Sequence, residues 1–303
     1  MHGTGYRFRV AGDCMMCGAP HHRQLVLGRR LDRSQGWRPR RVRGKATTVV
    51  RCRRCGLVFT DPMPLPIELA DHYSMDPVDY FGEERSSAES EGFETEIEEA
   101  RELLGYRERG KALDVGAGTG RVMAALSEAG FDTWGIEPSA SFRSFGLEKY
   151  ALDPKRIALA GIDEARFPSS HFDLISFGAV LEHLPAPGLA IEKALEWLQP
   201  NGVIHAEVPS SRWLVGRLLN AYFRLSGSGL VTNLSPMHPP YHLYEFTEES
   251  FRRHGQHVGY RVAKVRRIVG DVYAPAAVAW PLARLMEATG TGMQLVVWLM
   301  PNR

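Results

Sequence analysis

The chain has 303 residues, of which 44% are hydrophobic and 24% are charged, and its formal net charge is +2. This length and composition are typical of a globular protein with a sizeable core, and they exclude a miniprotein, a collagen-like chain and an extensively disordered chain. The 4 cysteines occur without a secretory leader, which indicates a reducing cytoplasm in which thiols act as ligands rather than as disulfides.

Positive charge is concentrated at the start of the chain. Residues 1–60 contain fourteen Arg and Lys against two Asp, so the rest of the chain is net acidic. Such a segment can hold an anionic partner, for example a nucleic acid backbone. Its Arg-rich part, residues 38–45, is equally typical of an ordinary solvated loop. The composition alone allows both interpretations.

Two Cys-x-x-Cys pairs, each followed directly by Gly, lie in this basic segment: Cys14, Cys17, Cys52 and Cys55. A tight turn points both thiolates of such a pair to one side, and two pairs complete a tetrahedral set for zinc. The separation, residues 18–51, exceeds the usual gap of about 15 to 20 residues, so a longer loop must connect the pairs. His21 or His22 could replace one thiolate, and the alternative to zinc is two redox-inert thiol pairs.

A connector follows the basic segment. The sequence DPMPLP from Asp61 is rich in proline and favours an extended chain. Apolar residues then recur at helical spacing from Phe93 to Leu104. We therefore divide the chain into a zinc-binding module (1–60), a connector with N-terminal helices (61–110) and an α/β domain (111–303).

The α/β domain begins with a strand, a glycine turn and a helix. The strand is predicted over Lys111–Val115, and the turn that follows has the sequence GAGTG, residues 116–120. Glycines let the backbone approach a ligand closely, and the helix N-terminus adds N–H donors. A second strand ends at Glu137, about 20 residues on, where an acid can bind ribose hydroxyls. Together these features predict a nucleotide-type site.

Several consecutive motifs carry a family resemblance. The segments LDVGAGTGRV, GIEPS, FDLISFGAVLEHL and LQPNGVIHAEVP resemble successive motifs of class I S-adenosylmethionine (SAM)-dependent methyltransferases over roughly residues 95–300. The cysteine pairs, with CRRCGLVFTDPMP, resemble a zinc-binding N-terminal module found on a subset of these enzymes, many of which methylate sugars or other small metabolites. The resemblance implies an α/β fold, a Rossmann-like seven-stranded sheet with helices on both faces, preceded by a small zinc ribbon-like module.

The resemblance also implies which residues bind SAM. The methionine end would lie against the glycine turn, the ribose on the acid after the second strand, the adenine near two acids after the third strand, and the methionine wall at the end of the fourth. These positions are Gly116, Ala117, Gly118, Gly120, Glu137, Asp163, Glu164, Phe177 and Gly178. Tyr73, Tyr80 and Phe81 could form a lid over the cofactor or simply anchor the connector.

The acceptor is expected under a cap. Residues 209–245 form a long insertion after the fifth strand, above the strand ends where open α/β sheets bind ligands, and a helix is predicted to follow it from Thr247 to His254. His183 follows the fourth strand, and His238, Tyr241 and His242 lie in the insertion. Because both groups can converge over the methyl-bearing sulfur, we expect them to include any proton acceptor that the reaction needs. A histidine is the expected base, because its unperturbed pKa is about 6.5, and Tyr241 is the expected hydrogen-bond donor. His183 could instead only orient a loop.

The C-terminal part predicts two final antiparallel strands, over 261–269 and 293–300, with a helix between them at 274–289. The apolar stretch 273–286 is broken by Pro275, Pro281 and Arg284, so we expect no membrane segment.

Three functions fit these observations. The favoured one is a SAM-dependent methyltransferase acting on a small molecule, with structural zinc. The second is an RNA methyltransferase that uses the basic module to hold phosphates, although residues 1–60 lack the interleaved aromatic and basic run that suits base stacking. The third is a SAM- and zinc-binding scaffold without catalysis.

Overall fold

The computed structural model describes residues 5–33, 44–67, 93–105 and 110–302. Its strands are β1 (Tyr6–Arg9), β2 (Gln24–Leu31), β3 (Ala46–Cys52), β4 (Val58–Thr60), β5 (Met63–Pro66), β6 (Lys111–Val115), β7 (Asp132–Ile136), β8 (Ile157–Ala158), β9 (Phe172–Gly178), β10 (Leu198–Pro209), β11 (Tyr244–Glu245), β12 (Tyr260–Ile268) and β13 (Gln294–Pro301). Its helices are α1 (Glu94–Leu103), α2 (Arg121–Glu128), α3 (Ala140–Lys149), α4 (Pro187–Trp197), α5 (Leu214–Leu225), α6 (Glu248–Val258) and α7 (Ala276–Thr289).

The central sheet has seven strands in the order β12–β13–β10–β9–β6–β7–β8. The five strands from β10 to β8 in this order run parallel to one another, whereas β13 is antiparallel to both β10 and β12. The strand order reverses between β6 and β9, so their carboxyl ends open a crevice there. The predicted seven-stranded α/β fold and the final antiparallel pair are confirmed.

The sheet is covered on both faces, which explains its continuous apolar strands. Successive residues of β9 point to opposite sides: Leu174 belongs to the apolar cluster that includes Ile97 of α1, and Ile175 to the cluster that includes Ile191 of α4. All four of these apolar side chains are at most 8% exposed. The sheet is thereby held as a rigid support for the loops at its edge.

A second sheet joins the N-terminal segment to the predicted cap. It has the order β11–β4–β3–β2, with Tyr244 opposite Phe59 and Glu245 opposite Val58. The short strand β11 therefore completes a sheet whose other three strands come from residues 24–60. A separate ribbon pairs β1 with β5. The module and the insertion share hydrogen bonds, while the domain limits stay a prediction.

The predicted insertion contains a helix, α5, that the sequence analysis did not assign. The helix predicted from Thr247 is present as α6, where the Thr247 side chain accepts from Ser250 N and the Ser250 side chain from Thr247 N. This reciprocal cap fixes the point at which the chain leaves β11. None of the helices in the described ranges has the length and apolar run that crossing a membrane requires.

Candidate functional site

The glycine turn after β6 is tied to the end of β7. Gly116, Gly118 and Gly120 have φ angles of +70°, +55° and +79°, a region that glycine adopts without strain. Gly118 N donates to Glu137 Oε2 at 2.7 Å, and Ser139 N donates to Glu137 Oε1 at 2.7 Å. Both oxygens of the Glu137 carboxylate thus accept backbone donors, which fixes the turn.

Two buried carboxyl groups lie behind this turn. Burial raises the pKa of Glu137, although the Ser139 and Gly118 N–H bonds oppose the shift. Burial, with the nearby charge of Glu137, raises the pKa of Asp114 to about 8. Asp114 is therefore largely protonated at neutral pH, which reduces repulsion between the two groups.

One large cavity of about 1470 Å³ opens beside the turn and continues under the insertion. Five of the nine predicted cofactor positions line it: Gly116, Gly118, Glu137, Asp163 and Gly178. The other four do not, for different reasons. Ala117 packs with Met123, Gly120 caps α2, Glu164 accepts from Gly161 N at 3.4 Å, and Phe177 is fully buried within β9.

Three of the four predicted acceptor-side residues line the other end of the cavity. These are His183, His238 and His242. The rings of His183 and His242 lie edge to face with centroids 5.0 Å apart. Tyr241 does not line the cavity; it has a φ of +64° and closes a turn by donating its N–H to His238 O at 2.8 Å.

The acceptor end also contains polar groups that the sequence analysis did not select. Glu182 Oε1 lies 3.8 Å from His242 Nε2, and Trp213 and Glu245 line the same space. Arg30 of β2 donates from Nε to Leu234 O at 2.8 Å, and its Nη2 lies 3.1 Å from His238 Nε2. Glu182 could have been identified from the sequence, because it is adjacent to His183. No sequence signal connects Arg30 with His238, which is 208 residues away.

Burial dominates the electrostatics at this end. It lowers the pKa of His238 to about 4, assisted by Arg30, and that of His242 to about 3, assisted by His183. It raises the pKa of Glu182 to about 8, assisted by the charge of Glu207, and that of Glu245 to about 7. At neutral pH both histidines are therefore uncharged and in the form that accepts a proton.

The four cysteines converge away from this cavity. The Sγ atoms of Cys14 and Cys55 are 3.6 Å apart, as are those of Cys17 and Cys52, and all four lie within 4.8 Å of one another. Zn–S bonds of about 2.3 Å in a tetrahedron separate sulfurs by about 3.8 Å, so the spacing fits one zinc ion. Hydrogen bonding with the Cys14 thiol lowers the pKa of Cys52 and raises that of Cys55.

Matching turns produce this convergence. Gly18 N donates to Cys14 O at 2.8 Å and Gly56 N to Cys52 O at 2.9 Å, and both glycines have positive φ. His21 lies outside the thiol cluster, because its Nε2 is 2.8 Å from Asp61 Oδ2, and the exposed His22 is not part of the cluster either. The proposed lid residues Tyr73, Tyr80 and Phe81, and most of the Arg-rich segment 38–45, lie outside the described residues.

A family model described as a methyltransferase domain matches residues 90–265 of the chain. Among curated proteins, a ubiquinone biosynthesis O-methyltransferase from Bradyrhizobium diazoefficiens is 26% identical over 107 residues, which cover 34% of this chain and 41% of that protein. This chain therefore spans about two fifths of the length of that relative.

Solved structures with a similar fold include methyltransferases. The 1,6-didemethyltoxoflavin-N1-methyltransferase of Burkholderia thailandensis, solved with 1,6-didemethyltoxoflavin and S-adenosylhomocysteine, is 15% identical, with a TM-score of 0.49 over 82% of this chain and 96% of that chain. A complex between the Haloferax volcanii Trm112 methyltransferase activator and a methyltransferase is also 15% identical, with a TM-score of 0.48 over 75% of this chain and 98% of that chain.

Proposed function

Because the chain belongs to the methyltransferase-domain family, we propose that it is a SAM-dependent methyltransferase whose acceptor is a small molecule. One observation carries the proposal. A single cavity of about 1470 Å³ connects the glycine turn and Glu137 with the histidines under the insertion. A donor at one end and an acceptor at the other would meet inside the protein, where alignment rather than covalent catalysis accelerates methyl transfer.

The residues at the turn fit SAM. No atom of a neighbouring side chain lies within 4 Å of the position where a Cβ of Gly118 would be, so the backbone is open to a ligand. Glu137 is the group expected to accept from ribose hydroxyls, with Gly116, Ala117, Gly118 and Gly120 along the methionine end. Asp163 and Glu164 are proposed near the adenine, and Phe177 and Gly178 near the methionine wall. SAM itself supplies a methyl group already activated on a sulfonium.

The shape of the acceptor end favours a small molecule over RNA. Leu234, Ser235 and Pro239 of the insertion line the cavity together with residues of β1. Against this, Arg7 and Arg9 of β1 are exposed and line the cavity, which would suit a phosphate-bearing acceptor of either kind. RNA therefore stays the alternative acceptor, and a scaffold without catalysis is the second alternative.

The acceptor-side histidines are proposed to handle the acceptor proton. His183, His238 and His242 face the cavity, and the low pKa values of His238 and His242 keep those two rings uncharged at neutral pH. The acceptor's nucleophilic atom forms a bond to the methyl carbon as the carbon–sulfur bond breaks and its electron pair passes to sulfur. A neutral ring can then take the acceptor proton. Tyr241 stays a predicted hydrogen-bond donor, although it lies outside the cavity lining.

Cys14, Cys17, Cys52 and Cys55 are proposed to bind one structural zinc ion. All four thiols are at most 3% exposed, and zinc would bind them as thiolates. A closed set of four thiolates leaves no open position for substrate, so the zinc would have no part in the chemistry. Its effect would be to hold the two cysteine turns against the end of β11.

The cofactor assignment is tested by Glu137→Ala. Loss of a charge-assisted bond is worth about 1.5–3 kcal/mol, so SAM affinity should fall roughly 10- to 100-fold in calorimetry. Glu137→Gln retains the shape and checks that the loss reflects charge rather than unfolding. Glu148→Ala, on an exposed carboxylate of α3 outside the cavity, is the matched control and should bind SAM as the wild type does. Unchanged SAM affinity in Glu137→Ala would refute the assignment.

The acceptor class is tested with SAM labelled on the methyl group. Purified protein is incubated with a library of hydroxylated and amino metabolites or with total RNA, and the label is followed in each pool. We expect transfer to a metabolite, absent in Glu137→Ala. Label in RNA alone would replace the small-molecule proposal with the RNA alternative, and SAM binding without any transfer would favour the scaffold.

A further inference from the structure

Two segments distant in sequence bring three metal-ligating side chains together at the acceptor end. Glu182 and His183 follow β9, and His242 precedes β11. A backbone bond of 2.8 Å from Leu243 N to Glu182 O holds the two segments in register. One carboxylate oxygen and one ring nitrogen from each histidine lie within 4.8 Å of one another. All three side chains line the cavity.

The donor set is that of a divalent transition metal. Two imidazoles and one carboxylate on one side of an ion are a recurring set for such cations, and they leave the remaining positions open. Metal bonds of about 2.0–2.2 Å bring ligand atoms to about 3–4 Å apart. Movements of about one ångström in the three side chains would therefore bring their ligand atoms to the spacing that a bound ion requires.

A second observation points to a cation as the ligand of this group. Glu182 is 1% exposed, and its Oε2 has no hydrogen-bond partner among the described residues. Its Oε1 is 3.8 Å from His242 Nε2, which is too long for a hydrogen bond. Arg30, the cationic side chain that reaches this end from β2, is bonded instead to Leu234 O and lies against His238. Burying this group without a partner is costly, and a bound cation would pair with it in its ionised form.

We propose that Glu182, His183 and His242 bind one divalent transition-metal cation, separate from the four-cysteine site, and that its open positions hold a hydroxyl acceptor. The inference rests on the proposed methyltransferase function and narrows the acceptor to an oxygen nucleophile. In this arrangement His183 and His242 act as ligands rather than as proton acceptors. Coordination lowers the pKa of a hydroxyl, so its proton passes to solvent before transfer. The oxygen–carbon bond then forms as the carbon–sulfur bond breaks, and sulfur keeps the electron pair as a neutral thioether.

Mn²⁺ is the probe, because it prefers oxygen and imidazole ligands, whereas a four-thiolate site prefers zinc. The full-length protein, loaded with one equivalent of zinc to fill the four-cysteine site, is titrated with MnCl₂, and bound Mn²⁺ is followed by electron paramagnetic resonance. We expect one Mn²⁺ per chain. Glu182→Gln and His242→Gln should each weaken Mn²⁺ binding at least tenfold, in line with loss of one ligand. His171→Gln, a partly buried histidine outside the cavity, is the matched control and should bind Mn²⁺ normally.

SAM affinity, measured on the same samples, shows whether each variant is folded and tests the proposed function separately. If Glu182→Gln does not fold, His183→Gln on the partly exposed neighbour replaces it. Absence of Mn²⁺ binding, or equal binding by wild type and Glu182→Gln, would overturn the metal site. Methyl transfer to a metabolite without Mn²⁺ binding would leave the proposed function intact and eliminate only this inference.

Discussion

The two ends of the cavity are built in different ways. The cofactor end is formed mainly by β6, the glycine turn and the end of β7, all within residues 111–139. The acceptor end combines β1, β2, the segment after β9 and the insertion after β10, which span residues 7–245. A contiguous motif makes the first end, whereas the second exists only because distant segments are hydrogen-bonded to one another.

Their polar groups differ as well. Glu137 at the cofactor end accepts two backbone bonds of 2.7 Å. At the acceptor end, Glu182 Oε2, Trp213 Nε1 and His238 Nδ1 are buried without a hydrogen-bond partner in the described part of the chain. Buried polar atoms in native proteins are normally paired. The cofactor end is therefore held by internal bonds, while the acceptor end presents groups suited to a polar ligand.

Cys52→Ser should produce the largest difference between the two ends of the cavity, with acceptor methylation affected more than SAM affinity. Cys55 O accepts from Thr247 Oγ1, and β4 pairs with β11, so the thiol cluster supports the segment that contains His242 and Glu245. Structural zinc contributes about 10–16 kcal/mol in small modules, so its loss should lower the melting temperature by roughly 10 °C or more. Metal analysis and thermal unfolding measure both effects, and metabolite methylation should fall further than SAM affinity.

His21→Ala is the control for that experiment, because His21 is an exposed side chain outside the thiol cluster. It should retain zinc and the wild-type melting temperature. A Cys52→Ser protein with full zinc content, or with methylation and SAM affinity lowered equally, would contradict a special dependence of the acceptor end on the thiols.

Acidification should affect both ends together, because they share β10. Burial lowers the pKa of His205 on this strand from 6.5 to about 3, so the folded state keeps the ring neutral where the unfolded chain takes up a proton. Its contribution to stability is present above pH 6.5 and is lost as the pH falls toward 3. The loss is about 1.4 kcal/mol per pH unit.

Urea unfolding of wild type and His205→Gln between pH 7 and pH 4 measures this slope. The variant should show a flatter decline, because the residue that gains a proton on unfolding is gone. His242 also has a lowered pKa, so it contributes to the decline in stability with falling pH in both proteins. If the free energy of unfolding fell equally with pH in the two proteins, His205 would not be a cause of the pH dependence of stability.

A smaller and more local effect is expected from Arg30→Met, which removes the buried contact between β2 and the insertion. Loss of the bond from Arg30 to Leu234 O should cost about 1.5–3 kcal/mol of unfolding free energy. Arg29→Met on the adjacent exposed residue is the matched control and should cost under about 0.5 kcal/mol. SAM affinity should be unchanged in both. If the two variants lowered the free energy of unfolding equally, the idea that Arg30 links the N-terminal module to the insertion would be wrong.

Much of the sheet was predictable, because buried parallel strands are short apolar runs flanked by turn residues. The strand at 111–115 and the final antiparallel pair follow from that pattern, and Thr247 correctly indicates the start of a helix. The helix α5 was not predicted, because its apolar residues lie in a segment interpreted only as an aromatic cap. Phe177 was expected in the site, yet side chains alternate along β9 and this one faces the core.

The sequence by itself determined the glycine turn, the acid at its partner strand and the two cysteine pairs, because each of these depends on residues only a few positions apart. Tertiary structure alone decided that β11 extends the N-terminal sheet, that Arg30 reaches His238, and that Glu182 and His183 lie beside His242. Pairings between such distant residues depend on which strand edges and buried polar groups satisfy one another after the chain folds. No local pattern of side chains encodes that choice.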